Sequence, residues 1–396
     1  MIIPDDETTQ KAQRILMWHW GKEGAGAKFT MGLSSALTTN NRKVHISAAK
    51  NSDLAHDLDI QKDLSSTLVS IFNGDKAKIA GKLSAALALL KLPRLGFDFK
   101  SMRNEFQPDL HLCSFQSIWD LGALPVLKQG QQPYVLCLHD ALPHPGDDYP
   151  FRSLALKMQV DAADGLIVLS DHVADTARKL YHYPKDRIYK IPHGRFDFVN
   201  SESKSRSFPI ERPFHLLFLG RFATYKGLPL LLDAYELLRA TNHKFKMTIA
   251  GSGELGPLRA RIDQIPTINL IHEWLNDETI ARCLNEADAV VLPYTEASQS
   301  GIAATAFAAG LPVIVTPVGG LTEQIKDRVT GLVAQSVSAR GVAEAILDLS
   351  TSNALYEALS RNALHHAQTS LDWKEIGATL CHALDSLTSL PRRRQG

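Results

Sequence analysis

At 396 residues the chain exceeds one ordinary hydrophobic core, and at about 150 residues per domain two to three domains are expected. An apolar content of 44% with 21% charged residues excludes a mainly disordered chain, and 43 Lys+Arg against 42 Asp+Glu leaves a formal charge of +1, without the basic excess of a protein that coats nucleic acid. Cys113, Cys137, Cys283 and Cys381 lie far apart and form no CxxC pair or Cys/His cluster of zinc spacing, which points to reduced, cytosolic thiols rather than a disulfide scaffold or structural zinc.

The N-terminal MIIPDDETTQ is acidic where a signal peptide would be basic. No apolar run approaches the ~18 residues of a membrane span. An intracellular chain is expected, soluble or peripherally attached to a membrane. The apolar runs Arg14–Trp18, Val44–Ser47, Leu110–Cys113, Tyr134–Leu138, Leu166–Ser170 and Ile188–Ile191 read as strands, with helix-compatible stretches between most of them. A Gly-rich loop, Gly21 to Gly26, follows the first run and leads into a helical pattern carrying Phe29, Leu33 and Leu37. Such alternation predicts a mostly parallel α/β sheet.

Between Lys76 and Arg103 lie seven basic residues (Lys76, Lys78, Lys82, Lys91, Arg94, Lys100, Arg103) with Asp98 and no Glu. Ile79, Leu83, Ala86, Leu87 and Leu90 recur at helical spacing, giving an amphipathic basic helix followed by Pro93. It can pack on a core with a solvated basic side, or lie on an anionic leaflet. Pro391-Arg392-Arg393-Arg394 either adds charge or is a frayed tail.

The polar stretch Ser201–Ser207, followed by Pro209 and Pro213, reads as a linker. The alternation then resumes with strands at Phe214–Leu219, Lys246–Ala250, Asn269–Ile271, Ala289–Leu292, Val313–Thr316 and Gly331–Val333. Two successive doubly wound α/β domains fit better than one large sheet, and ligands of such sheets sit at the carboxyl ends of strands.

At those ends lie the candidate residues. Gly220-Arg221 closes one strand and Lys226-Gly227 opens a helix, so two cations share a loop with a helix N-terminus, a fit for phosphate; a solvated basic loop is the other reading. Pro293 ends another strand, and Glu296 in the loop beyond it could accept sugar or ribose hydroxyls or be a solvated acid. Gly301 opens the next helix and lets backbone approach a ligand, and Gly319-Gly320 is a further close-approach loop or plain turn. In the first half, His139-Asp140 follows Tyr134–Leu138, and Gly24-Ala25-Gly26 follows the first strand. His139 could donate to a substrate or be structural. Gly251-Ser252-Gly253-Glu254-Leu255-Gly256 is GxGxxG after a strand, with Glu273 17 residues on, the cues of a dinucleotide site. That fingerprint usually follows the first strand of its domain, whereas here Phe214–Leu219 precedes it. No DxD metal motif occupies a strand end; Asp147-Asp148 falls in a Pro/Gly-rich loop.

Together, GRFATYKGLPLLLDA (220–234), IAGSGELGPL (249–258), ADAVVLPYTEASQSG (287–301), AFAAGLPVIVTPVGGLTEQI (306–325), ADGLIVLS (163–170) and IPHG (191–194) resemble the glycosyltransferase family 4 pattern on a GT-B fold. The resemblance implies two Rossmann-like domains facing a central cleft. It puts an N-terminal acceptor-binding domain at 1–198, a linker at 199–212 and a C-terminal nucleotide-sugar-binding domain at 213–372. A C-terminal helix that can cross back, with the basic tail, takes 373–396. It implies a retaining, metal-independent hexosyltransferase without a cofactor, moving a sugar from a nucleotide-sugar to a saccharide or lipid-linked acceptor in polysaccharide or glycolipid assembly. The setting would be cytoplasmic, with an anionic membrane surface at 76–103 as a candidate partner and no nucleic acid.

By the same resemblance Arg221 and Lys226 hold the donor diphosphate and His139 lies beside the donor sugar. Gly24 and Gly26 belong to the loop facing the diphosphate. Gly220, Gly251 and Gly253 line the donor side, Glu273 borders the base, and Gly301 and Ile302 present N–H groups near phosphate or ribose. The family pattern has two glutamates separated by seven residues. Aligned on Ala308-Ala309-Gly310, the second is Thr305, the first falls on Ala297, and Glu296 stands one residue early. Thr305 can bond a ribose hydroxyl only without charge, where charged bonds contribute roughly 1.5–3 kcal/mol against about 1 for neutral ones. The N-terminal loop reads Gly24-Ala25 where a Gly-Gly pair is common. The competing readings are an NAD-dependent oxidoreductase built on the GxGxxG, and an inactive GT-B binding module.

Overall fold

Apolar runs without polar alternation require burial on both faces, which parallel sheets between helices supply. The structure, a computed structural model, describes residues 12–60, 64–71, 89–145, 151–198 and 204–393. Its strands are β1 (Arg14–His19), β2 (Lys43–Ala49), β3 (Ser65–Val69), β4 (Leu110–Cys113), β5 (Tyr134–Leu138), β6 (Gly165–Val168), β7 (Ile188–Lys190), β8 (Phe214–Leu219), β9 (Phe245–Gly251), β10 (Ile268–His272), β11 (Ala289–Leu292), β12 (Val313–Val315) and β13 (Gly331–Val333). They form a seven-stranded sheet ordered β3-β2-β1-β4-β5-β6-β7 and a six-stranded sheet ordered β10-β9-β8-β11-β12-β13. The pairing is parallel, with Ile15 opposite both Val44 and Leu110, and Leu216 opposite both Met247 and Ala289. In each sheet the chain builds outward from a central strand, returns, and continues on the other side. The direction changes between β1 and β4 and again between β8 and β11, and the carboxyl ends at such a point are where doubly wound sheets bind ligands.

Every run read as a strand is one, and β3 was missed. Its sequence, SSTLV, is polar and largely exposed because it is an edge strand. Backbone pairing to β2 holds it, and the His45 ring bonds the hydroxyls of Ser65 and Thr67 at 2.7 and 2.9 Å. The run expected at Leu166–Ser170 is shorter: Ser170 caps the helix Asp171–Tyr181, its Oγ accepting from Val173 N.

By contact the chain divides into two compact units, Met1–Cys137 with Lys157–Leu166 and Gly377–Gly396, and Leu138–Leu156 with Ile167–Ile376. In the first, Trp18 of β1 packs edge-on against Phe99 at 5.1 Å and stacks on Tyr134 at 5.6 Å. The tail is not frayed at Arg392 and Arg393. Arg392 pairs with Asp164 at 2.8 Å and donates to the carbonyls of Gly130 and Gln132, and Arg393 N donates to Asp164. In the second unit alternate residues of β8 enter two cores, Phe214, Leu216 and Phe218 one and Leu217 and Leu219 the other.

Much of the basic amphipathic stretch lies outside the described residues, at 72–88, as does Asp147-Asp148. The described part differs from expectation in one respect. Pro93 sits in the first turn of the helix Leu92–Phe106, directly after a 3-10 turn at Leu89–Lys91, where a missing N–H costs nothing. Among the described residues no helix is long and apolar enough to cross a membrane.

Candidate functional site

The direction change of the second sheet brings the loops after β8 and β11 side by side. The first begins at Gly220, with the exposed Arg221 next, and continues through a tight turn, Thr224–Lys226, into the helix Leu228–Arg239. Gly227 joins turn to helix with φ 69°, and an added Cβ there would lie 1.8 Å from the Pro293 carbonyl oxygen. Both the backbone and the space therefore require glycine. Thr295 N donates to Tyr225 O at 2.8 Å, binding the two loops together. The Lys226 ammonium sits 3.9 Å from the Tyr294 ring centroid and 5.1 Å from that of Tyr225. These two faces attract the cation while leaving its charge in place.

The loop after β11 leads into the helix Gly301–Ala308, which has no acidic side chain in its first turn and no side-chain cap from Ser300. Its positive dipole end at Gly301 and Ile302 is thus not neutralised by a carboxylate of its own. Gln324 fixes the entry, accepting from Ser300 N at 2.7 Å and donating to Ser300 O at 3.2 Å. Gly320 N donates to Ala297 O, and Ser170 Oγ donates to Ser298 O at 2.8 Å. Thr305 is 1% exposed and its hydroxyl donates to Gly301 O at 2.9 Å, one turn back in its own helix. Ala297 is buried. Glu296 is the acid that this loop presents.

His139 and Asp140 follow β5 and belong to the same unit as these loops. His139 is 2% exposed. Asp140 accepts from His144 Nε2 at 3.0 Å, and His144 Nδ1 lies 3.2 Å from Glu296 Oε1. Burial works against the His144 charge, but its bonds to Asp140 and Glu296 outweigh burial and raise its pKa above the ordinary histidine value. Burial alone would raise the Asp140 pKa; the bond and charge of His144, the Ser298 hydroxyl and the charge of His139 hold it below the usual carboxylate value.

Two of the three GxGxxG glycines, Gly251 and Gly253, serve close packing, whereas Gly256, at φ 49°, has open space around it. An added Cβ on Gly251, at φ 155°, would fall 1.8 Å from Gly220 O, and one on Gly253 would crowd Phe222. The next helix begins only at Leu258, so these glycines do not open a helix as a dinucleotide fingerprint does. Glu273 is exposed at the end of β10, its N–H on Gly251 O, beside Trp274. In the first unit, Gly24 N donates to Asp53 at 2.9 Å, and Gly26 lies against the His19 ring. Burial lowers the His19 pKa to about 4, so that ring is neutral near pH 7. Among the described residues no group of three or more His, Cys, Asp or Glu is placed to hold a metal ion.

Thus the structure brings Gly220, Lys226 and Glu296 together on two adjoining loops with the helix start at Gly301, and Arg221 at the start of the first loop, whereas Thr305 lies buried one turn inside the helix. The sequence reading missed Tyr225, Tyr294, His144 and Gln324. The tyrosines stand within the quoted motifs, but nothing in their spacing reveals that both rings face one lysine.

The family described as Glycosyltransferase Family 4 matches residues 30–195 and the one described as Glycosyl transferases group 1 matches residues 213–352, together more than half of the chain. D-inositol 3-phosphate glycosyltransferase of Paenarthrobacter aurescens is 30% identical over 259 residues, 59% of this chain and 61% of that protein. The chain spans about half the length of the curated relatives it matches. Sucrose-phosphate synthase from Thermosynechococcus elongatus superposes with a TM-score of 0.71 at 16% identity, over 95% of this chain and 99% of that one. HepE of Anabaena, solved in complex with UDP-glucose, gives 0.71 at 16% identity over 95% and 100%. With two parallel α/β sheets, both family matches and this likeness of fold, the chain belongs to glycosyltransferase family 4 and has the GT-B fold.

Proposed function

We propose that the protein is a retaining glycosyltransferase that moves a sugar from a nucleotide-sugar to a saccharide or lipid-linked acceptor, without a metal, in polysaccharide or glycolipid assembly. The observation that carries this reading is the pairing, at the direction change of the second sheet, of the Arg221–Lys226 loop with the uncapped end of the helix Gly301–Ala308. When the bond between sugar and phosphate breaks, its electron pair goes to the departing diphosphate. Fixed cations and backbone N–H groups stabilise that charge without reorganising. HepE, whose fold this chain shares, is solved with UDP-glucose, which supports a nucleotide-sugar as donor.

Thermal shift against UDP-, GDP- and ADP-sugars, their diphosphates and NAD tests the reading. A ligand at about 100 times its Kd should stabilise by roughly 2.7 kcal/mol. One nucleoside diphosphate series is expected to raise Tm and NAD to leave it unchanged, with or without EDTA. A response to NAD alone would favour the oxidoreductase, and binding of every cognate sugar without turnover would favour an inactive module.

Work in the cytoplasm at the inner face of a membrane is part of the same proposal. Leu90 is 76% and Phe97 72% exposed, beside the exposed Lys91, Arg94 and Lys100. Co-sedimentation with liposomes should rise with anionic lipid and fall with salt. Equal recovery with neutral and anionic vesicles, or none with either, overturns it.

A further inference from the structure

Glu296 is the single acid between Pro293 and Gly301, and the residue aligned with the family's second glutamate is the uncharged, buried Thr305. The Glu296 side chain is 45% exposed, which would ordinarily leave it to sample many rotamers. Here Oε1 is tied to His144, itself 7% exposed, and the opposite ring nitrogen is tied to Asp140. The His144 ring also stacks on Tyr225, with centroids 4.3 Å apart and planes 17° from parallel. Tyr225 in turn flanks the Lys226 ammonium. One ring therefore touches the segment after β5, the loop after β11 and the turn after β8.

We propose that His144 is a positioning residue that fixes the Glu296 carboxylate and the Thr224–Lys226 turn in one geometry, so that sugar and diphosphate are held in register. This rests on the nucleotide-sugar reading, in which Glu296 faces the sugar and Lys226 the diphosphate. With Oε1 engaged by His144, Oε2 is left to accept a sugar hydroxyl. Displacing a reacting group by about 1 Å can cost 10²-fold in rate, so a bridge that prevents such displacement has a measurable effect.

The bridge needs both ring N–H groups. The groups facing it are Asp140 and Glu296, the Lys226 cation across the Tyr225 ring, and His139 with the Ser298 hydroxyl around Asp140. Since the pKa of His144 is raised, its contribution is complete at lower pH and lost as pH rises through that raised value.

Two measurements on the full chain test this. In NMR titration of the histidine rings, one resonance should titrate above the ordinary histidine value, vanish in His144→Gln and move down in Glu296→Gln. In steady-state kinetics, His144→Ala should lower kcat by about 10- to 100-fold with the Kd of the nucleoside diphosphate nearly unchanged. His144→Gln, whose amide can donate to both carboxylates, should recover part of kcat and lack the alkaline fall that His144 gives the wild type. A His144 resonance indifferent to Glu296→Gln, or wild-type kcat and pH profile in His144→Ala, overturns the proposal. The two failures separate: those results with normal nucleotide binding remove the bridge, whereas absence of nucleotide binding in the wild type removes the donor reading itself.

Discussion

Replacing Lys226 by alanine is expected to lower turnover by about 10²–10³-fold while the protein stays folded. The ammonium is held against the Tyr294 ring at 3.9 Å in a turn that glycine and two backbone bonds make rigid, so its position is set before substrate arrives. A preorganised charge acts chiefly on charge that develops in the transition state, and the departing diphosphate gains charge there. The ground-state diphosphate is also anionic, so Kd should weaken, by less than kcat falls. The contact with the tyrosine faces contributes only about 0.5–1 kcal/mol at a partly exposed position, so Tm should change little. Arg221→Ala should follow the same direction with a smaller effect, because its exposed side chain has more orientations to lose on binding. Turnover near wild type in Lys226→Ala would remove the diphosphate clamp from the mechanism. A large fall in Tm with proportionate loss of activity would instead make the lysine a structural part of the tyrosine pair.

Sequence reading located what periodicity and strand ends encode. The buried strands of both sheets are apolar runs, and β8, FHLLFL, is buried at every position. Chain order then placed Arg221, Lys226 and Glu296 at the carboxyl ends of β8 and β11. β3 escaped because an edge strand needs no apolar face: its hold is backbone pairing and two hydroxyl bonds to His45. His144 escaped because its partners are four residues away in Asp140 and 152 residues away in Glu296, and a lone histidine in a Pro-rich loop carries no period. The GxGxxG misdirects for a related reason. Glycines required by the approach of the Gly220 and Gly251 backbones look in sequence like glycines required by a pyrophosphate. Thr305 was visible as a departure from the family pattern, but that its hydroxyl closes onto Gly301 O follows only from the helix geometry.

His139→Ala is the second substitution expected to have a large effect, with kcat falling about 10²-fold or more and the Kd of the nucleoside diphosphate almost unchanged. The residue stands directly after β5, 2% exposed, and its neighbour Asp140 is anchored through His144 to the Glu296 loop. A side chain so confined has few rotamers to lose, which suits it to hold a sugar near the bond that breaks. The diphosphate is assigned to different elements, the loop after β8 and the helix Gly301–Ala308, so its affinity should survive. Truncating a buried ring also leaves a cavity, and large-to-alanine changes in packed sites cost about 2–5 kcal/mol. His139→Gln therefore accompanies the alanine variant, retaining volume and a donor. An orienting role predicts that both variants keep nucleotide binding and lose turnover beyond any loss of folded protein. A structural role predicts a lower Tm, parallel losses in binding and turnover, and recovery of both at lower temperature. Measuring Tm, Kd and kcat together on the same preparations decides between them, and turnover that tracks the folded fraction would reject the orienting role.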